Sequence, residues 1–68
     1  MTFTRLKDNK YCERSECGQY TVCAIGGADG FRFEGWFGKQ QLEPVNLATA
    51  EEAREVCRQH KAMQVKAA

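Results

Sequence analysis

Charge of one sign is what this sequence most lacks. Ten Lys and Arg stand against nine Asp and Glu, a formal net charge of +1. That balance argues against both a strongly basic nucleic-acid clamp and a strongly acidic DNA mimic. Proline is represented by Pro44 alone, and no low-complexity stretch, internal repeat or linker interrupts the chain. No apolar run approaches the length needed to cross a bilayer. Residues 1–10 also lack the apolar stretch of a secretory leader. The expected location is therefore the cytoplasm, with no membrane partner. Thiols stay reduced there, so Cys12, Cys17, Cys23 and Cys57 are expected to be free. A Cys12–Cys17 bridge is sterically reachable across a turn but disfavoured on the same ground.

The 68 residues suit one domain. The expected division is an N-terminal strand or arm at 1–9, a β-meander at 10–47, a helix at 49–64 and a tail at 65–68. A chain this short buries only about 60% of the surface its unfolded form exposes, so it depends on a compact core, a staple or a partner. Hydrophobic residues at 43% and charged residues at 28% fit a folded protein rather than a disordered one.

Short strands are expected at 2–6 and 10–14, separated by the Asp8-Asn9 turn signal. Residues 19–25 (QYTVCAI) are rich in β-branched and aromatic side chains, and residues 31–37 (FRFEGWF) alternate in the manner of a half-buried strand. Between them Gly26-Gly27-Ala28-Asp29-Gly30 reads as a hairpin loop. A weaker strand at 42–47 belongs at an edge, because Pro44 has no N–H to donate to a ladder. Thr49 as N-cap, with Glu52 three residues on, marks the start of a helix. Ala53, Val56, Cys57, His60 and Met63 form its apolar stripe, and Glu51, Arg54, Glu55 and Arg58 its solvated side. The expected fold class is α+β: an antiparallel meander of three to four strands packed on one face by a single C-terminal helix.

Setting Ile25 opposite Phe31 across a five-residue loop places Ile25, Cys23, Phe31, Phe33 and Phe37 on the helix side. Tyr20, Val22 and Ala24 then share the other face with Arg32, Glu34 and Trp36. Residues of that kind form protein-binding patches. Two other ways of covering this face are open: the N-terminal residues folding over it, or a homodimer seam.

No catalytic constellation emerges. Cys57 and His60 lie three apart on a helix, but on its core side, where substrate has no room. The Cys12, Cys17, Cys23, Cys57 and His60 set lacks the paired knuckle spacing of zinc sites, so no metal or other cofactor is expected. The glycines at 26, 27 and 30 join two strands rather than opening a helix, unlike a phosphate-binding loop.

Two resemblances bear on function. From 19 to 60, the order strand–hairpin–strand–strand–helix, with Leu47-Ala48-Thr49-Ala50-Glu51-Glu52-Ala53 leading into the helix, resembles three-stranded-sheet-plus-helix DNA-binding domains. Such domains occur in plant-type transcription factors and at phage integrase N-termini. This likeness implies nucleic-acid binding through Arg14, Arg32, Lys39, Arg54 and Arg58. Residues 14–21 (RSECGQYT) and 53–60 (AREVCRQH) resemble short motifs of small orphan proteins from bacteriophages and prophages. That resemblance implies a non-enzymatic inhibitor of a bacterial protein complex in the host cytoplasm, most specifically an anti-CRISPR-like inhibitor of a CRISPR effector. The partner-binding residues on this reading are Tyr20 and Trp36 as anchors, Val22 beside them, and Arg32 and Glu34 as polar orienters. Glu13, Glu16, Asp29 and Glu34 would complement a basic effector surface.

Overall fold

The computed structural model describes residues 1–28 and 30–67. Five strands, β1 (Phe3–Arg5), β2 (Cys12–Ser15), β3 (Tyr20–Gly27), β4 (Gly30–Phe37) and β5 (Gln40–Gln41), precede one helix, α1 (Ala50–Ala67). The strands form a single antiparallel sheet in the order β1-β2-β3-β4-β5, and α1 packs on β3 and β4. The fold is therefore α+β as expected, with one strand more than the upper expectation. The extra strand comes from the N-terminal residues. Phe3 pairs with Ser15 and Arg5 with Glu13, so this segment extends the sheet edge and does not fold over a face.

The expected strand at 42–47 is broken up. Gln40 and Gln41 pair with Phe37 and Trp36, and the Leu42 N–H donates to the Gly35 carbonyl at 2.9 Å. Residues 43–46 then leave the ladder, and Leu47 rejoins it as an isolated bridge with reciprocal 2.8 Å hydrogen bonds to Phe33. Pro44 sits within this excursion, where no ladder donor is required.

The helix begins where the cap signal places it. The Thr49 hydroxyl accepts the Glu52 N–H at 3.2 Å, and Glu51 and Glu52 occupy the positively polarised first turn. It runs on to Ala67, past the expected end at 64; Ala68 lies outside the described residues. Ala53 and Cys57 are fully buried, and Val56 and His60 half-buried. Met63, expected on the buried stripe, is exposed beside the groove between α1 and β5. The solvated side is laced by ion pairs. Arg58 contacts Glu51 at 2.7 Å and Glu55 at 3.3 Å, while Arg54 reaches Glu13 of β2 through two bonds of 2.5 and 3.1 Å. That forked pair ties helix to sheet.

The β3–β4 register decides which side chains meet the helix. The ladder continues past the expected loop to Gly26↔Phe31 and Gly27↔Gly30, so Ala24 faces Phe33, Val22 faces Gly35 and Tyr20 faces Phe37. This differs by one residue from the Ile25–Phe31 pairing expected from sequence, and a one-residue slip turns a whole strand over. The Phe31 ring lies at van der Waals distance, 3.5 Å, from where a Gly26 Cβ would stand. An aromatic thus covers the bare glycine across the pair, which lets Gly26 serve as strand rather than loop. Consequently Tyr20 and Val22, assigned above to the open face, are core residues only 1% and 2% exposed. Cys23 and Ile25 move the other way.

The core is small: Tyr20, Val22, Leu42, Ala53 and Cys57, flanked by Met1, Phe3, Phe33, Phe37, Leu47 and Val56. At its far end the Tyr20 hydroxyl meets His60 Nδ1 at 2.7 Å, and both rings pack on Phe37. Ser15 is buried beside them and its hydroxyl accepts the Tyr20 N–H at 3.1 Å. Gly18 closes the adjoining turn at φ +78°, where a side chain would be strained.

Candidate functional site: the open sheet face

With the register set, the face away from α1 carries Arg14, Thr21, Ile25, Arg32, Glu34 and Trp36 around one covalent feature. Cys12 and Cys23 are direct cross-strand partners, with Cα atoms 4.1 Å apart, and they form a disulfide. The expectation of four free thiols is thereby corrected. Antiparallel pairing brings two side chains on the same face into contact, and here both are cysteines.

Trp36 is half-buried and held from below. Its indole Nε1 donates to Glu34 Oε1 at 2.9 Å, and Gln41 Nε2 donates to the other carboxylate oxygen. Glu34 is itself 8% exposed. Its role is thus to fix the indole, since both oxygens are occupied within the chain. Ile25 stands 47% exposed near the hairpin end of the same face, and Arg32 is exposed, with one guanidinium bond to the Phe31 carbonyl at 3.3 Å.

Of the five expected partner-binding residues, the structure brings Arg32, Glu34 and Trp36 onto one face and puts Tyr20 and Val22 on the other. Reasoning from sequence missed Ile25, Thr21 and the disulfide. The signal that would have found all three was the option of a shorter hairpin loop with glycines inside the strands. Among the acidic residues expected to complement a basic partner, Glu13 is committed to Arg54 and Glu34 to Trp36 and Gln41. Glu16 is exposed, and Asp29 lies outside the described residues.

The remaining cysteines differ in character. Burial pushes the Cys57 thiol up to about 11 from its ordinary 9.0, and His60 is engaged with Tyr20. This pair is a packing feature and not a thiolate–base couple. Cys17 is exposed, and the Ser15 hydroxyl, followed by the Gln19 backbone and Lys61, draws its thiol below the ordinary value. Among the described residues no three His, Cys, Asp or Glu side chains are grouped to hold a metal ion. No helix among them is long and apolar enough to cross a membrane.

The raised Cys57 value predicts a sign for alkaline stability. The buried thiol resists ionisation in the folded chain, as does the Tyr20 hydroxyl, which burial also raises. Stability from Cys57 is then complete below pH 9.0 and lost as pH climbs toward about 11. Urea midpoints measured across that window should fall, and the fall should be shallower in Cys57→Ala. Equal slopes in the two proteins would contradict the assignment.

Among known proteins, this chain matches no family model, no curated protein and no solved structure.

Proposed function

We propose that this chain acts by binding rather than by catalysis, and that it engages a bacterial protein complex through the open sheet face. One observation carries the reading: a five-stranded sheet is packed by its only described helix on one side, and the other side carries the exposed Ile25 and the half-buried Trp36. Aromatic anchors that are already fixed before contact lose little entropy on binding, and Glu34 fixes Trp36 in this way. Thr21, Arg14 and Arg32 supply the polar surround common at interface rims. The narrower version, an anti-CRISPR-like inhibitor of a CRISPR effector, rests on the resemblance of residues 14–21 and 53–60 to small phage proteins.

The nucleic-acid reading has lost support. Arg54 and Arg58 are bound to glutamates, Lys39 lies in the turn after β4, and only Arg14 and Arg32 of the five share the open face. A protein partner captured from bacterial lysate should bind Trp36→Ala and Ile25→Lys at least ten-fold more weakly, as expected for central anchors. Met63→Ala, on the other side, should bind as wild type. Capture that ignores Trp36 and Ile25 would sink the proposal. So would a homodimer in sedimentation that Trp36→Ala dissolves, because the face would then be a self-seam. Binding of DNA that weakens steeply with salt would favour the rival.

A further inference from the structure

The helix leaves part of its own side of the sheet uncovered. α1 begins at Ala50, level with Phe33, while the sheet continues past it through Ala24 and Gly26 to the hairpin end. Tyr11 and Phe31 occupy this overhang, stacked with ring centroids 5.9 Å apart and planes inclined by 27°. Each is about half exposed, at 49% and 50%. Together with Ala24, Phe33 and the start of α1 they bound a cleft of about 310 Å³. That volume lies at the lower end of the range that takes small molecules.

The charges around the cleft are unequal. Arg5, Lys10 and Arg54 border it against the single carboxylate of Glu13, which Arg54 already neutralises. Among the described residues neither Arg5 nor Lys10 makes an ion pair. The Lys10 ammonium lies 5.3 Å from the Tyr11 ring centroid, so cation and aromatic surface adjoin. An apolar floor with half-exposed rings and two bordering cations that no described carboxylate neutralises matches a molecule with a flat aromatic part and an anionic part.

We propose that this cleft is a binding site for a small planar aromatic anion of the nucleoside monophosphate type. The base lies against Phe31 and Tyr11, and the phosphate meets Arg5 and Lys10. A ring stacked on an aromatic side chain and an anion held by a guanidinium are separable contributions. The size of the cleft favours a single small ligand over a protein, whose interface needs roughly 800 Å² on each side.

Calorimetric titration of the full chain with adenosine monophosphate, adenosine and inorganic phosphate tests this. One equivalent of the monophosphate should bind at least ten-fold more tightly than either part alone. Phe31→Ala should weaken it about ten-fold, within the span found for base stacking. Arg5→Gln should weaken the monophosphate to a similar degree while leaving adenosine unchanged. Arg5 is exposed, and the Arg5→Gln midpoint should stay at the wild-type value. Phe31→Ala also removes the ring over Gly26, so its titration is run below its own unfolding midpoint to separate lost binding from lost folding. Trp36→Ala, on the opposite face, should retain full affinity, which keeps this site distinct from the protein-binding face. No saturable binding at millimolar monophosphate would overturn the proposal. So would affinity unaffected by Phe31→Ala, or preferential binding of an acidic peptide or an oligonucleotide over the mononucleotide.

Discussion

Reducing the Cys12–Cys23 disulfide is expected to lower the free energy of unfolding by about 3 kcal/mol. The bond joins residues 11 apart in sequence, and closing a loop of about that size removes roughly this much free energy from the unfolded ensemble. The loss is large relative to the whole. A chain of this length is stabilised by roughly 3–10 kcal/mol in total, and among the described residues five hydrophobic side chains are buried. The bond acts where the sheet has least other support. It staples β2 to β3 on the face with no helix, while on the helix side β2 is held by the Arg54–Glu13 pair and Ser15. Urea unfolding with and without reductant measures the effect. The Cys12→Ser/Cys23→Ser double variant should unfold at the midpoint of the reduced wild type and no longer respond to reductant. Cys17→Ser should leave the response intact, since Cys17 is a free thiol. Identical midpoints for oxidised and reduced protein would show that the staple contributes nothing.

That bond illustrates where sequence reasoning stopped. Signals contained within a few residues were legible. Thr49 and Glu52 marked the helix start because a cap needs only i and i+3, and residues 31–37 announced a strand through their own alternation. The cross-strand register was not legible, because it depends on which residues of two strands choose one another. Gly26 and Gly27 carry no side chain to vote, so composition favoured a loop; the Phe31 ring lying across Gly26 favours a ladder. A shift of one residue then moved Tyr20 and Val22 into the core, moved Ile25 and Cys23 out, and set Cys23 against Cys12. The disulfide was hidden twice, once by the register and once by an argument from compartment that says nothing about geometry. Trp36, Glu34 and Arg32 were placed on one face correctly because their mutual arrangement depends on β4 alone.

The same register puts Val22 opposite Gly35, and Gly35→Ala is expected to destabilise the fold by about 2 kcal/mol. At an ordinary strand position the change would help, since alanine restricts the unfolded chain more than glycine does. Here the helix is too close. A Cβ at residue 35 would stand 2.9 Å from Cys57 Sγ and 3.2 Å from the Ala53 carbonyl oxygen. A flexible side chain can yield to a methyl group, but Ala53 contributes backbone, and that backbone is fixed by the helix ladder. Relief therefore requires moving α1 off the sheet, which loosens Ala53, Cys57 and Leu42 together. The helix approaches so closely because all three positions at the contact are small: Gly35 on β4, Ala53 and Cys57 on α1. Gly26→Ala supplies the control, because its Cβ would meet only Phe31 at 3.5 Å; its midpoint should match or exceed wild type. Adding Cys57→Ala to Gly35→Ala should recover part of the loss and not all, since the Sγ contact disappears while the carbonyl contact stays. Full recovery would mean that the sulfur alone sets the spacing, and an unchanged midpoint for Gly35→Ala would mean that α1 does not rest on β4 at this glycine.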